Sequence, residues 1–169
     1  MSEVVAVEFN SPDGELVRIE WQAEGVERLD PAAPAEPWTL SGELDWDEVA
    51  AVRVFTGRLE DGGVAIAAIR PAGAAGHGEE AIAGVLVGDG GVEDLEEVLL
   101  STEQNGEGAV RRVGLELYRA EAMMPLRIAG DATGQASDDR GGLRLESTRF
   151  ELRAAGAAGA GRLDVLTRA

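Results

Sequence analysis

Short runs in which apolar and polar residues alternate fill most of this chain, and turns containing glycine separate them. The run Val4–Phe9 is apolar at every second residue from Val5, and Glu15–Trp21 repeats the pattern after the Pro-Asp-Gly turn at residues 12–14. A period of two places alternate side chains on opposite faces of a strand, and turn residues between two such runs favour a hairpin. The start of the sequence therefore predicts an antiparallel β-hairpin.

Two later runs are apolar at every position. Val64–Ile69 follows Val52–Leu59 across the Glu-Asp-Gly-Gly sequence of residues 60–63, which suits a tight hairpin turn. Ile82–Val87 ends at a similar turn, the Gly-Asp-Gly-Gly sequence of residues 88–91. A strand with two apolar faces is normally covered on both sides, so we expect these two runs to lie between two layers or centrally in a sheet.

Three segments between the strand-like runs lack a clear strand pattern. Asp30–Trp38 contains three prolines, which remove amide donors and fix φ, so it predicts a connection within one domain rather than a strand. Gly42–Ala50 and Val92–Leu100 carry apolar residues at helical spacing between flanks that favour strands. Their secondary structure stays open at this level.

The last third of the chain gives two local predictions and completes the fold class. Its apolar phase changes from odd positions, Leu143 and Leu145, to even ones, Phe150 and Leu152, which predicts a β-bulge near residues 147–148. The small residues of 154–161 predict a loop. About ten strands with little helix indicate an all-β fold, an antiparallel meander closed into a lipocalin-like β-barrel or barrel-like sandwich. We expect one domain over residues 1–169.

Charge and hydropathy exclude several classes of partner. The 32 acidic residues outnumber the 15 basic ones, and the formal net charge of −17 repels phosphate backbones, so we expect no nucleic-acid partner. No apolar run approaches the ~20 residues of a spanning helix, so we expect no membrane insertion. The chain begins Met-Ser-Glu-Val, without the regions of a secretory signal, and we expect a cytoplasmic protein.

Few side chains in this sequence are suited to chemistry. It has one histidine, no cysteine and no lysine, which removes disulfides, thiolate metal sites and amine nucleophiles. His77 is a candidate for proton transfer, but a solvated residue in a Gly/Ala loop is the stronger interpretation. The acidic cluster at residues 93–97 lacks a calcium-loop pattern and favours a solvated face. We expect no metal and no cofactor.

The candidate ligand-binding residues are large, soft or hydrogen-bonding side chains that the interior or mouth of a barrel would present. Residues of these types more often fill a core. Arg112 beside Glu116 would suit a ligand carboxylate, although a cross-strand ion pair is the stronger alternative. The candidates are Trp21, Tyr118, Met124, Phe150, His77, Arg112 and Glu116.

Several short motifs carry a family resemblance. They are Gly57-Arg58-Leu59-Glu60-Asp61-Gly62, Arg70-Pro71, Gly76-His77-Gly78, Leu100-Ser101-Thr102-Glu103 and the stretch from Arg111 to Tyr118. In these motifs the chain resembles a group of uncharacterised bacterial proteins that is distantly similar to the AttH/CrtC-type lipocalin-like family, which includes carotenoid hydratases. The resemblance implies an antiparallel calyx that binds or transforms an apolar small molecule. It supplies no match to a hydratase catalytic residue, and the larger family typically pairs two such domains.

Three functions follow as alternatives. The first is binding of a hydrophobic small molecule, lipid-like or terpenoid-like, in an apolar calyx. The second is a hydratase or isomerase that uses a buried carboxylate, with Glu116, Glu121 and Glu146 as candidates, so the sequence leaves open whether the protein is an enzyme. The third is a structural module, such as a homodimer, in which Val64–Ile69 and Ile82–Val87 bury their second faces against another copy.

Overall fold

The structure is a computed structural model that describes residues 3–10, 14–73, 80–88 and 91–168. These residues form twelve strands and one short helix, and the all-β, barrel-like fold predicted from the sequence is confirmed. The first five elements are β1 Val4–Asn10, β2 Leu16–Gln22, α1 Ala23–Glu27, β3 Trp38–Ser41 and β4 Val49–Leu59. The next four are β5 Gly62–Pro71, β6 Ala81–Gly88, β7 Gly91–Asp94 and β8 Glu97–Gln104. The last four are β9 Val110–Tyr118, β10 Leu126–Arg140, β11 Leu143–Ala154 and β12 Ala157–Arg168.

Nine strands form one curled antiparallel sheet in the order β7-β6-β5-β4-β12-β11-β10-β9-β8. The C-terminal strand β12 returns to pair with β4, as Leu163 opposite Phe55 shows. The two strands at the edges of the sheet, β7 and β8, are consecutive in the chain. Only Leu95 and Glu96 separate them, so the two edges must lie close together.

Two backbone hydrogen bonds hold these edges in place. The amide of Leu95 donates to the carbonyl of Gly84 on β6 over 3.0 Å, and the amide of Glu96 donates to the carbonyl of Tyr118 on β9 over 2.8 Å. The link therefore bridges strands from both sides of the gap. Curling a long sheet in this way removes most of its exposed edge.

A second sheet of three strands, in the order β1-β2-β3, covers part of the outer face of the barrel-like sheet. Ile19 and Trp21 of β2 share one apolar core with Val54 of β4, Ala67 of β5 and Val87 of β6. The opposite side chains of the same strands, such as Ile66, belong to the inner core. The prediction that Val64–Ile69 is covered on both sides is therefore confirmed, and the cover comes from the same chain.

The middle of the barrel is packed with large side chains. The rings of Phe55 and Phe150 lie 6.5 Å apart between centroids, and Leu152 packs in the same inner core. Glycines make room for them, because a Cβ at Gly57 would lie 2.9 Å from the Phe55 ring and a Cβ at Gly161 would lie 2.9 Å from it as well. Such distances are too short for real Cβ contacts, so the interior is filled at this level.

The predicted β-bulge at residues 147–148 is wrong. β11 pairs with β12 without interruption from Leu143 opposite Arg168 to Ala154 opposite Ala157. The apolar phase changes because Leu145 packs in the outer core under the three-stranded sheet, whereas Phe150 packs in the inner core. The register shift lies on the neighbouring strand β10, between residues 132 and 134.

The loop predicted for residues 154–161 is also wrong. The turn is confined to Ala155 and Gly156, and β12 begins at Ala157. The run of small residues marks a strand that passes close to its neighbours, since a Cβ at Gly159 would lie 2.2 Å from the carbonyl oxygen of Arg58. Small residues here reflect tight packing rather than loop structure.

Neither of the two segments with helical spacing forms a helix. Val92–Leu100 contributes to β7 and β8, and Gly42–Ala50 forms a non-helical connection that enters β4 at Val49. Residues 30–37 form the connection predicted from the prolines. The helix in the described part of the chain is α1, whose Val26 is buried, and no helix there is long and apolar enough to cross a membrane.

Candidate functional site

Two cavities lie at opposite ends of the barrel-like sheet. The apolar cavity has a volume of about 660 Å³ and lies where the β4–β5, β9–β10 and β11–β12 turns gather. The polar cavity has a volume of about 380 Å³ and lies beside the turn between β8 and β9. The layer of Phe55, Phe150 and Leu152 lies between the two ends.

The floor of the apolar cavity is the end of the inner core. Leu59, Leu86 and Leu126 are partly buried there, and Ala154 is buried. These side chains come from four different strands that end or begin at this side of the barrel. Because they are aliphatic, the floor offers apolar contact without directional hydrogen bonds.

One ion pair stands at the rim of the apolar cavity. Arg119 donates from Nε to Glu93 Oε2 over 3.0 Å and from Nη2 to Oε1 over 2.8 Å. The hydrogen bonds from Arg119 hold the pKa of the Glu93 carboxyl below its usual range, and they raise the pKa of Arg119. The pair supplies both a donor and an acceptor at the cavity mouth.

Exposed apolar side chains surround the same end of the barrel. Val92 lines the cavity and is 37% exposed. Met123 and Met124 lie between two lining residues, Arg119 and Leu126, and are 99% and 69% exposed. Neither methionine lines the cavity itself, and their flexible thioether side chains can adapt to different apolar surfaces.

Arg53, which lines the polar cavity, forms a buried ion pair. Arg53 of β4 donates from Nε to Glu80 Oε2 over 2.9 Å, and its Nη2 bonds the other carboxylate oxygen. The same Nη2 lies 3.4 Å from the carbonyl oxygen of Leu100, on β8. Both side chains are almost fully buried, at 4% and 3% exposure. Arg53 therefore reaches from one wall of the barrel to another.

Sequence reasoning missed this pair, although one signal was present. Arg53 interrupts a run that is otherwise apolar from Val49 to Phe55, and its phase is that of Phe55, which faces the interior. An arginine in that phase points into the barrel. Its partner Glu80 lies just before β6, where the sequence offers no pattern that links it to β4.

A second buried network lies on the outer face. Asp164 is fully buried and accepts hydrogen bonds from Trp38 Nε1 over 2.7 Å and from Arg162 Nε over 2.8 Å. Ser147 donates to the same carboxylate. Arg162 also donates to the carbonyl of Ala33 over 2.7 Å, which ties the proline-containing connection to β12. This network is a structural anchor, because every polar group in it is engaged within the protein.

The predicted site residues do not converge on one place. Trp21 is buried between the two sheets, with Nε1 donating to Thr56 Oγ1 over 2.9 Å, and Phe150 fills the barrel interior. Met124 is exposed in the segment beside the apolar cavity. His77 lies outside the described residues. The ligand-binding role of these residues stays a prediction.

The remaining candidates lie on the outside of β9. Tyr118 donates to Glu116 Oε2 over 3.1 Å, and Arg127 donates to Glu116 Oε1 over 3.2 Å. The bond to Glu116 raises the pKa of the Tyr118 hydroxyl. Arg112 forms surface ion pairs with Glu103 and Asp131. Of the predicted residues that the structure describes, Tyr118 and Glu116 are the pair in direct hydrogen-bond contact.

The carboxylates singled out from the sequence occupy different environments. Glu146 lines the polar cavity and pairs with Arg144 over 3.1 Å, whereas Glu116 and Glu121 do not line it. Across residues 3–10, 14–73, 80–88 and 91–168, no group of three or more His, Asp or Glu side chains is placed to hold a metal ion.

Comparison with models of known protein families and with curated protein sequences gives no match. The fold and the cavities therefore define the class to which the chain can be assigned. It is an all-β protein with a curled, barrel-like antiparallel sheet, a packed centre and a cavity at each end.

Proposed function

We propose that the protein binds a small hydrophobic molecule in the apolar cavity. The observation that carries the proposal is a cavity of about 660 Å³ whose floor is the aliphatic end of the inner core. Small-molecule sites typically have volumes of roughly 300–1,000 Å³ and mostly apolar linings with a few polar groups. The sequence led us to expect such a ligand in the central calyx, and the packing of Phe55 and Phe150 moves the proposed site to one end.

The rim supports a ligand with one polar end. Arg119 and Glu93 stand where a ligand head group would emerge, and their ion pair offers hydrogen bonds to it. Burial of apolar area contributes about 25 cal/mol per Å², so the tail would supply most of the affinity and the rim would set the orientation. Lipid-like and terpenoid-like molecules have this division into tail and head.

The other two functions have weaker support. An enzyme would need a carboxylate that can accept a proton from its substrate, but both oxygens of the inward-facing Glu80 bond Arg53. The oligomer hypothesis started from the doubly apolar runs Val64–Ile69 and Ile82–Val87. Their second faces are covered within the chain by β1 and β2, so they give no reason to invoke another copy.

The test is a fluorescence titration with 1-anilinonaphthalene-8-sulfonate, followed by competition with dodecanoate. We expect saturable binding of the dye and its displacement by dodecanoate. Substitution Val92→Trp places an indole at the cavity rim and should weaken dodecanoate binding by about tenfold or more, equivalent to the loss of about 1.4 kcal/mol. Since Val92 is partly exposed, the variant should keep the stability of the parent protein.

The matched control is Leu99→Trp. Leu99 is also a partly exposed aliphatic residue in a strand, but it does not line the apolar cavity. We expect this variant to bind dodecanoate as the parent does. Equal affinity of the Val92→Trp and Leu99→Trp variants, or a dye signal that dodecanoate does not compete for, would exclude the apolar cavity as the site.

A further inference from the structure

The polar cavity is independent of the proposed apolar site, because it opens at the other end of the barrel. Its boundary includes Arg53, Arg70 and Arg144 together with the hydroxyls of Thr102 and Thr148. Thus three of the protein's 15 basic side chains reach one cavity of about 380 Å³. The chain as a whole is strongly acidic, so a cluster of three guanidinium groups is unusual in this protein.

The arginines place several hydrogen-bond donors along this wall. A guanidinium group has only donors, and it carries more N–H groups than a single carboxylate can accept. The bonds of Arg53 to Glu80 and to the Leu100 carbonyl use Nε and Nη2, and Nη1 takes part in none of them. A guanidinium N–H group that these bonds do not use favours a partner that is rich in acceptors.

Two of the arginines at the cavity are paired with carboxylates. Glu80 accepts from Arg53, and Glu146 accepts from Arg144 Nε over 3.1 Å. Glu107 belongs to the boundary and lies in the exposed turn between β8 and β9. Each ion pair fixes the plane of its guanidinium group, which prepares the remaining N–H groups for an incoming ligand.

The ladder between β9 and β10 ends beside this cavity. β10 pairs with β9 only from Leu126 to Asp131, although it continues along β11 as far as Arg140. Beyond Asp131, the side-chain amide of Gln135 bridges to the carbonyl of Val110 over 3.0 Å. Gln135 and Val110 both line the polar cavity, so the end of this ladder forms part of its wall.

We propose that the polar cavity binds a small organic acid. Its carboxylate accepts hydrogen bonds from Arg53 Nη1 and from Arg144, and its hydroxyl groups meet Thr102 and Thr148. Arginine forks match the geometry of a carboxylate, and such charge-assisted bonds are stronger than neutral ones. The formal net charge of −17 disfavours anions in general, so the guanidinium groups of this cavity have to outweigh that repulsion locally.

The experiment is isothermal titration calorimetry with citrate at fixed ionic strength, with glycerol as a probe that has hydroxyl groups but no carboxylate. We expect saturable citrate binding with a Kd below about 1 mM and none with glycerol. Arg144→Gln should weaken citrate binding about tenfold or more, since one charge-assisted hydrogen bond is lost. Arg144 is half exposed, so its removal should leave the fold intact.

Arg127→Gln is the matched control. Arg127 forms a similar exposed ion pair, with Glu116 over 3.2 Å, but does not line the polar cavity. Because removal of the buried Arg53 risks unfolding, its Nε–H resonance in ¹⁵N-labelled protein is the second readout, and it should shift on addition of citrate. The proposal fails if citrate does not saturate, if the two variants bind citrate equally, or if the Arg53 resonance stays unchanged at saturation.

Discussion

Arg53 and Glu80 form a bidentate ion pair inside the barrel, with 2.9 Å between Arg53 Nε and Glu80 Oε2. Both side chains are almost completely removed from solvent. In the protein interior, the attraction between the guanidinium and the carboxylate has to offset the desolvation of both charges. The pair therefore adds little net stability compared with apolar residues of the same shape. Removing one partner has a much larger effect on stability, because the other charge is then left buried without its counterion.

Single removal of either partner should therefore destabilise the protein strongly. We expect Arg53→Met and Glu80→Gln each to lower the free energy of unfolding by about 3–5 kcal/mol. The double variant Arg53→Met with Glu80→Met should recover most of this loss. Urea denaturation measures all three, with the exposed Arg127→Gln as a control that should cost at most about 1 kcal/mol. If the single variants lost as little free energy of unfolding as this control, the result would contradict the burial of the pair.

The glycines around the inner core give a second prediction. A Cβ at Gly161 would lie 2.9 Å from the Phe55 ring and 3.0 Å from Leu152 Cδ1. Gly161→Ala should therefore overpack the interior and lower the free energy of unfolding by about 1–3 kcal/mol. At Gly106 nothing lies within 4 Å of the position of a Cβ, so Gly106→Ala should leave stability nearly unchanged.

Chemical denaturation of these variants separates packing from the intrinsic effect of replacing glycine. Combining Gly161→Ala with Phe55→Leu should cost less than the sum of the two single changes, because the smaller side chain vacates the contested space. Strict additivity would show that Phe55 and Gly161 do not share that space.

Sequence reasoning reached the fold class because alternation and turn residues are local signals. The uninterrupted apolar run Val64–Ile69 also predicted that both faces of its strand are covered. What it could not predict was which layer covers each face, since Leu145 and Phe150 lie on one regular strand yet pack in different cores. A bulge and a change of covering layer both change the apolar phase along a strand, so the phase change between Leu145 and Phe150 was wrongly interpreted as a bulge. The Arg53–Glu80 pair could not be predicted from local patterns either, because it depends on the pairing of distant strands.

The rim of the apolar cavity provides a test based on pKa values. Hydrogen bonds from Arg119 lower the pKa of Glu93, and hydrogen bonds from Arg111 lower that of Glu103. A carboxyl group whose folded pKa is lowered stabilises the fold above its ordinary pKa of about 4.3, and that contribution is lost as the pH falls through the lowered value. Acidification should therefore weaken the rim pair before it affects the apolar floor.

Arg119→Gln should raise the pKa of Glu93 toward the ordinary value. An NMR titration of the side-chain carboxyl resonances follows both groups in one sample. Glu103 is the internal reference, because its partner Arg111 is untouched, and its pKa should not move. A Glu93 pKa that stays low in the variant would mean that the ion pair with Arg119 is not formed in solution.

Asp164 gives the last prediction, on the anchor of the proline-containing connection. Asp164→Asn removes the charge that balances the buried Arg162, so it should lower the free energy of unfolding by about 3–5 kcal/mol. Trp38→Phe deletes one donor to the same carboxylate but keeps the charges balanced, and about 1–3 kcal/mol is expected. Asp47→Asn, in an exposed pair with Arg168, should cost at most about 1 kcal/mol in the same denaturation series. This order follows from burial and charge balance, and an Asp164→Asn variant as stable as Asp47→Asn would show that the network does not hold the connection in place.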